Sequence, residues 1–232
     1  MALFTIEPTP LTIPGAVLWM RPDDTRSSNM TASVNRLSAI KNLANNRLLI
    51  QNPVSSNQPG TGVSTINGLN AIQFDNDNNR WLTTGLSTMT NSTFFIVIQK
   101  FIANTQGLIS GSDQIMRPTF NDTAGFISND GTTSITTTSG ASLLTTPAIL
   151  GITCDAASST RNLYKSSLTI NISGGYDGSY NQQFFGTQAA SSGSARGGYN
   201  QGETVIYNRV LTSTEITKIM RYLANRWGII LT

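Results

Sequence analysis

The sequence predicts an all-β fold, a two-sheet antiparallel jelly-roll sandwich closed by one C-terminal amphipathic helix. Three observations predict it. Short apolar runs recur along the chain with polar turns between them, the pattern of two packed sheets. Ser, Thr and Asn make up about a third of the 232 residues, while only 12% are charged; such residues suit solvent-facing strand positions and turns. Helical periodicity with both end signals occurs once, near the C-terminus. A chain of this length buries a sizeable core without covalent staples.

The elements follow in order. Residues 1–12 form an N-terminal arm punctuated by Pro8 and Pro10, with Pro14 just beyond. Proline fixes φ and removes a donor, so the arm is expected to be extended and cannot be a central strand. Leu3, Phe4 and Ile6 are apolar on a segment without its own core, and are candidate anchors to this domain or a neighbour. Residues 13–232 read as one sandwich domain without internal repeat. Phe94–Lys100 is a strong buried strand. Leu108–Ser110, Gly125–Ser128, Ser134–Thr137, Ala148–Cys154 and Gln183–Gly186 read as further strands.

The last thirty or so residues are the most informative. Thr204, Ile206 and Asn208 alternate with Val205, Tyr207 and Arg209, as a strand allows. Thr212 is placed to cap a helix over Ser213–Arg226, and Glu215 three residues later completes a capping box. Ile216, Ile219, Met220, Leu223 and Trp227 recur at helical spacing and give one apolar face. Lys218, Arg221 and Arg226 lie toward the end where the helix dipole favours cations. Gly228 follows as a terminating glycine.

This closing run resembles that of concanavalin A-like, laminin-G-like domains found in bacterial surface proteins and phage structural proteins. Their common ending reads roughly E-V-I-I-Y-N-R-x-L and then S-x-x-E-I-x-x-I-x-x-Y-L-A-x-K-W-G-I. Val205 to Arg209, Leu211, Glu215, Ile216, Ile219, Tyr222, Leu223, Ala224, Trp227, Gly228 and Ile229 fall on it. Ile13–Arg21 resembles the family's opening strand, and Ile66–Asp75 its I-N-G-x-P-A-V-x-F-D hairpin. Arg161–Lys165 followed by Leu168–Ile172, with Ser166–Ser167 at the turn, resembles its Y-V-N-G hairpin. Residues 22–60 depart from the pattern: Val34–Asn42 stands where relatives carry a tryptophan- and glycine-containing loop. The resemblance implies a lectin-like sandwich; function has to be argued from a site, since one fold hosts many functions.

Composition narrows the chemistry. There is no histidine, and Cys154 is the sole cysteine, so no intramolecular disulfide forms and no histidine base serves a thiol. Cys154 reads as a buried structural thiol. The three glutamates, Glu7, Glu203 and Glu215, lie in the arm, at a strand start and in the capping box. None forms the paired-carboxylate motif of a glycosidase. We expect no catalytic residue and no cofactor. A net charge of +3, without a dense basic run, argues against nucleic-acid recognition. No stretch reads as a membrane span or a signal peptide, so the product is expected to stay in a cytoplasm or to leave by lysis or in an assembled particle.

Two constellations remain as candidate sites. Asp75-Asn76-Asp77-Asn78-Asn79 offers hard oxygens to calcium through Asp75 and Asp77, although polar residues of this kind also favour turns. Gly174–Asn181 and Gly197–Asn200 read as loops with aromatic faces beside amides and a carboxylate, so Tyr176, Asp177, Tyr180, Tyr199 and Asn200 are candidate carbohydrate contacts. Trp19, Trp81 and Trp227 read as core. The sequence reading favours a non-enzymatic structural subunit of a phage virion, a capsid decoration or tail or fibre protein. Its partners would be other virion proteins or copies of itself. The alternative is a carbohydrate-binding adhesin or lectin-like module that meets a host surface glycan.

Overall fold

The computed structural model describes residues 9–23, 30–33, 35–45, 47–50, 58–75, 80, 82–101, 108–110, 115–117, 126–129, 134–137, 146–176, 178, 184–186 and 198–232. The strands are β1 (Ala16–Met20), β2 (Met30–Ser33), β3 (Arg36–Asn42), β4 (Arg47–Ile50), β5 (Gly60–Ile66), β6 (Leu69–Phe74), β7 (Leu82–Thr83), β8 (Ser92–Lys100) and β9 (Ile109–Ser110). They continue as β10 (Ile115–Arg117), β11 (Phe126–Asn129), β12 (Ser134–Thr137), β13 (Ala148–Asp155), β14 (Thr160–Lys165), β15 (Ile172–Gly175), β16 (Phe184–Phe185) and β17 (Tyr199–Tyr207), before helix α1 (Ser213–Trp227).

Among the described residues every strand pair is antiparallel. The larger sheet runs β15-β14-β13-β8-β17-β6-β5-β3-β2, with β1 on β17 and β4 on β3; the smaller runs β12-β11-β10-β9-β16-β7. The fold is a two-sheet β-sandwich of jelly-roll type with a C-terminal helix, as the strand pattern requires.

The larger sheet is covered on both faces, which explains its sequence. Phe94, Ile96 and Ile98 of β8 join Ile72, Phe74, Leu150, Ile152, Cys154 and Ile206 in a core that includes Leu82, Leu108 and Phe185 from the smaller sheet's side. Phe95 and Val97, between them in sequence, join Trp19, Val205 and Tyr207 in a second core under α1. A strand buried on both faces shows a continuous apolar run instead of alternation. β17 does the same: it starts at Tyr199, five residues before the alternation begins, and is buried on both faces except at Asn200. Asn208 and Arg209 lie beyond its end.

Helix α1 carries the predicted signals. Glu215 N–H donates to Thr212 Oγ1, and Thr212 N–H donates back to Glu215 Oε2 at 2.9 Å. Ile216, Ile219, Met220, Leu223 and Trp227 are buried, together with Tyr222 and Ala224. Removing side chains of this size from water contributes about 1.5–3 kcal/mol each. The helix ends where Gly228 enters the left-handed region at φ 61°, which glycine adopts without a Cβ penalty. Asn67, at the β5–β6 turn, donates its Nδ2 to the Trp227 and Gly228 carbonyls at 2.7 and 3.2 Å. The I-N-G segment thereby satisfies the helix's last carbonyls.

Two expectations are corrected. Pro10–Thr12 forms a 3-10 turn instead of continuing an extended arm. Proline suits the first helical position, and Thr12 bonds back to Thr9 through both its N–H and its hydroxyl. Pro10 is buried, and its carbonyl accepts the Tyr207 hydroxyl at 3.0 Å, so this end of the arm is fastened to its own domain. The partner of β14 begins at Ile172, not Leu168. Residues 166–168 instead pair with the post-helix tail, through Thr232 N–H to the Ser166 carbonyl and Leu168 N–H to the Thr232 carbonyl. Leu3, Phe4, Ile6 and Trp81 lie outside the described residues.

Candidate functional site

The chemistry on the helix side of the sheet is organised by a break in β17. Its pairing with β8 shifts register between Gln201 and Thr204, a β-bulge of the kind that re-aims side chains. Glu203 sits in this bulge, fully buried. Trp19 Nε1 and the Tyr222 hydroxyl donate to its Oε1 at 2.5 and 2.8 Å, and Trp227 Nε1 donates to Oε2 at 3.2 Å. Arg226 Nε lies 3.3 Å from Oε2, and the Arg226 guanidinium also pairs with Asp23. Arg21 stacks over the Trp19 ring 5.6 Å from its centroid. Gly202 makes room for this: a Cβ there would meet the Trp227 ring at 3.0 Å and Val97 at 2.9 Å.

Burial pushes the Glu203 carboxyl above its ordinary range, opposed by the hydrogen bonds from Trp19, Tyr222 and Trp227 and by the Arg21 charge. A perturbed acid in a cleft is a functional candidate, but this one is enclosed and reaches no solvent. It ties β1, β17 and α1 together. Sequence reading placed Glu203 at a strand start and missed this role. The available signal was a lone glutamate in a strand followed by a helix that carries Tyr222 and Trp227, two side chains with a donor on an apolar body.

The structure redistributes the candidate carbohydrate contacts. Tyr176 is only 5% exposed, and its hydroxyl donates to the Thr90 carbonyl at 2.9 Å. Tyr199 is 0% exposed, lies in β17 and packs on Phe74 with ring centroids 5.2 Å apart. Neither can stack on a sugar; the chain uses both as core because a tyrosine can bury its ring and still bond its hydroxyl. Asp177 and Tyr180 lie outside the described residues. So does Asp77, while Asp75 is paired with the buried Arg80 at 2.5 Å.

Asn200 is half-buried, with its Oδ1 enclosed and without a hydrogen-bond partner, in company the sequence did not show. It is the direct cross-strand partner of Gln73 on β6 and of Gln99 on β8. Directly opposed residues share a face, so three side-chain amides form a row across the central strands. Gln73 and Gln99 are two residues on from Ala71 and Val97, which belong to the core under α1; the row therefore lies on the helix side. All three are partly exposed, and Gln73 Nε2 donates to Ser64 Oγ at 2.8 Å.

A cleft of about 360 Å³ opens elsewhere on the surface. Its walls are Thr146–Ala148 at the start of β13, Lys165 and Ser166 at the end of β14, the tail residues Ile229, Ile230 and Thr232, and the β5–β6 turn at Asn67. Burial lowers the Lys165 amine from its ordinary range.

No protein-family model matches the sequence, and no curated protein sequence matches it. Solved structures share the fold. The binding domain of Paraclostridial Mosquitocidal Protein 1 superposes with a TM-score of 0.64 at 11% identity, covering 95% of this chain and 56% of that one. The botulinum neurotoxin type G receptor binding domain gives 0.53 at 13% identity, over 90% of this chain and 51% of that one. The chain thus spans about half the length of these two toxin domains. Domain 4 of AbnA, a GH43 extracellular arabinanase from Geobacillus stearothermophilus solved with arabinotriose, gives 0.57 at 10% identity, over 89% of this chain and 98% of that domain. These likenesses show the fold, a two-sheet β-sandwich.

Proposed function

We propose that this chain is a lectin-like, non-catalytic glycan-binding module. The observation that carries the reading is the row Gln73–Asn200–Gln99, flanked by Ser64, on the helix-side face of the larger sheet. A primary amide offers two donors and one acceptor, the complement of neighbouring sugar hydroxyls, and a rigid sheet holds such groups in register. The arabinanase domain solved with arabinotriose supports the reading, because almost its whole length superposes on this chain. Binding of immobilised polysaccharides, linear arabinan among them, tests it. The wild-type domain should be retained by at least one polysaccharide, and the Gln99→Ala/Asn200→Ala variant should lose that retention without a change in melting temperature. Absence of retention across a broad panel refutes the reading.

The resemblance of the opening strand, the I-N-G hairpin and the closing run favours a second reading, a virion structural subunit held to a neighbour by Leu3, Phe4 and Ile6. On this reading, deleting residues 2–8 abolishes incorporation into particles and leaves the domain's melting temperature unchanged. Unimpaired incorporation refutes it.

A further inference from the structure

An exposed apolar side chain stands at each end of the amide row. Phe101 N–H donates to the Gly198 carbonyl at 3.1 Å. This carries the β8–β17 register, in which Gln99 faces Asn200 and Lys100 faces Tyr199, one pair further. Side chains alternate along a strand, so Phe101 shares the helix-side face with Gln99. Its partner Gly198 presents no side chain, and the Phe101 ring is 40% exposed. Of the exposed large apolar side chains among the described residues, it is the aromatic one. At the far end, Val63 is 49% exposed. Gly60 opposes Gln73, and β5 shifts register between Gly60 and Ser64. A Cβ on Gly60 would stand 3.3 Å from the Gln73 Cβ and 3.1 Å from Val63 Cγ2. Val63 therefore lies beside Gln73 on that same face.

We infer that Phe101 is the stacking platform of this row, and that the row takes an internal segment of a neutral oligosaccharide. The inference rests on the glycan reading above and gives it a ligand class. A sugar ring has an apolar C–H face and a rim of hydroxyls. An exposed aromatic ring takes the face, through dispersion contacts and the burial of apolar area. Amides two residues along the same strand and across from it take the rim. An aromatic side chain does this at low entropic cost, because it has only two rotatable bonds to fix. Val63, Gln73, Asn200, Gln99 and Phe101 are all neutral, so nothing in the row offsets the desolvation of an acidic sugar. From β5 to β8 the row crosses β6 and β17. At about 4.8 Å per strand spacing it runs for about 14 Å, longer than one sugar ring.

Affinity electrophoresis of the intact chain tests this, in gels containing neutral arabinan, xylan, mannan or dextran, or the acidic polygalacturonate or alginate. Retardation by at least one neutral polysaccharide is expected. A trisaccharide of the same repeat should relieve it, and the monosaccharide at equal concentration should not. Phe101→Ala and Phe101→Leu should each weaken the retardation at least several-fold at an unchanged melting temperature, and Phe101→Trp should keep it. Leucine preserves apolar area without a flat face, so its effect separates stacking from simple burial. The inference is overturned, and the amide-row reading survives, if Gln99→Ala/Asn200→Ala abolishes retardation while the Phe101 variants migrate as the wild type does. Retardation confined to acidic polysaccharides, or relieved equally by the monosaccharide, also overturns it. So does a lowered melting temperature in Phe101→Leu, which would place the ring in the core. Absence of retardation in every gel overturns the inference and the reading together.

Discussion

Removing the Glu203 carboxylate should reveal how much of the domain's stability passes through one residue. In Glu203→Ala, three buried donors, Trp19 Nε1, Tyr222 Oη and Trp227 Nε1, lose their acceptor. Each orphaned buried donor costs about 1–3 kcal/mol. Water entering the space beside Arg226 restores part of this, which places the loss at about 3–5 kcal/mol, the range for breaking a buried charge pair. Glu203→Gln keeps one acceptor oxygen but turns an N–H₂ toward groups that themselves donate, so it should lose about 2–3 kcal/mol. Domains have only about 5–15 kcal/mol in total, so the alanine variant should lose a large share of its stability. Urea unfolding followed by tryptophan fluorescence measures both, with near-UV circular dichroism reporting the Trp19 and Trp227 environments. Trp19→Phe should cost less in the Glu203→Ala background than in the wild type, because the orphaned indole is then gone. A Glu203→Gln variant within about 0.5 kcal/mol of wild type, the range of ordinary surface substitutions, would falsify this account.

Other expectations are narrower. Leu223→Ala empties a fully buried position under the helix and should cost about 2–5 kcal/mol in urea unfolding. Gly202→Ala drives a methyl into Val97 and the Trp227 ring and should cost about 1–3 kcal/mol, with a change in near-UV dichroism. Glu215 is held at about 2, below its ordinary 4.5, by the Arg209 side chain and then by Thr212. Its contribution is therefore present above pH 4.5 and lost as pH falls toward 2; the stability advantage of wild type over Glu215→Gln should shrink across that window. Glu203 acts with the opposite sign. Its raised folded-state pKa makes its contribution decline as pH rises above 4.5, so Glu203→Gln should lose least, relative to wild type, at the most alkaline end of the titration.

The helix and the covered strands were legible because their signals are local. Thr212, Glu215 and Gly228 are read from neighbours three or four residues away, and the doubly buried β8 shows as an unbroken apolar run. The site was less legible, because it depends on pairings across the sheet. Asn200 looked like a loop amide beside Tyr199; only the register with Gln73 and Gln99 makes it the middle of a row. Tyr176 and Tyr199 carried loop-like glycine neighbours, yet both hydroxyls reach carbonyls about ninety residues away in sequence. Glu203 was opaque for the same reason. A lone buried carboxylate has meaning only through donors supplied from residues 19, 222 and 227. The helical periodicity had already marked Trp227 as a core side chain, without showing that its indole nitrogen was needed.

The position of β17 has a consequence for how the chain is made. This strand sits at the centre of the larger sheet, between β8 and β6, yet it is the last strand synthesised among the described residues. Until it emerges, the two halves of that sheet have no common edge, and Trp19 waits 184 residues for Glu203. Contacts of such sequence separation slow folding, because loop closure precedes any reward. On the ribosome the earlier strands stand with unpaired edges, at roughly 5–20 residues per second, for the tens of seconds needed to reach residue 199. Folding is then completed almost at one stroke, when β17 inserts and α1 closes over it. Premature termination between Gly175 and Tyr199 leaves the two halves of that sheet with unpaired edges in place of a smaller working domain.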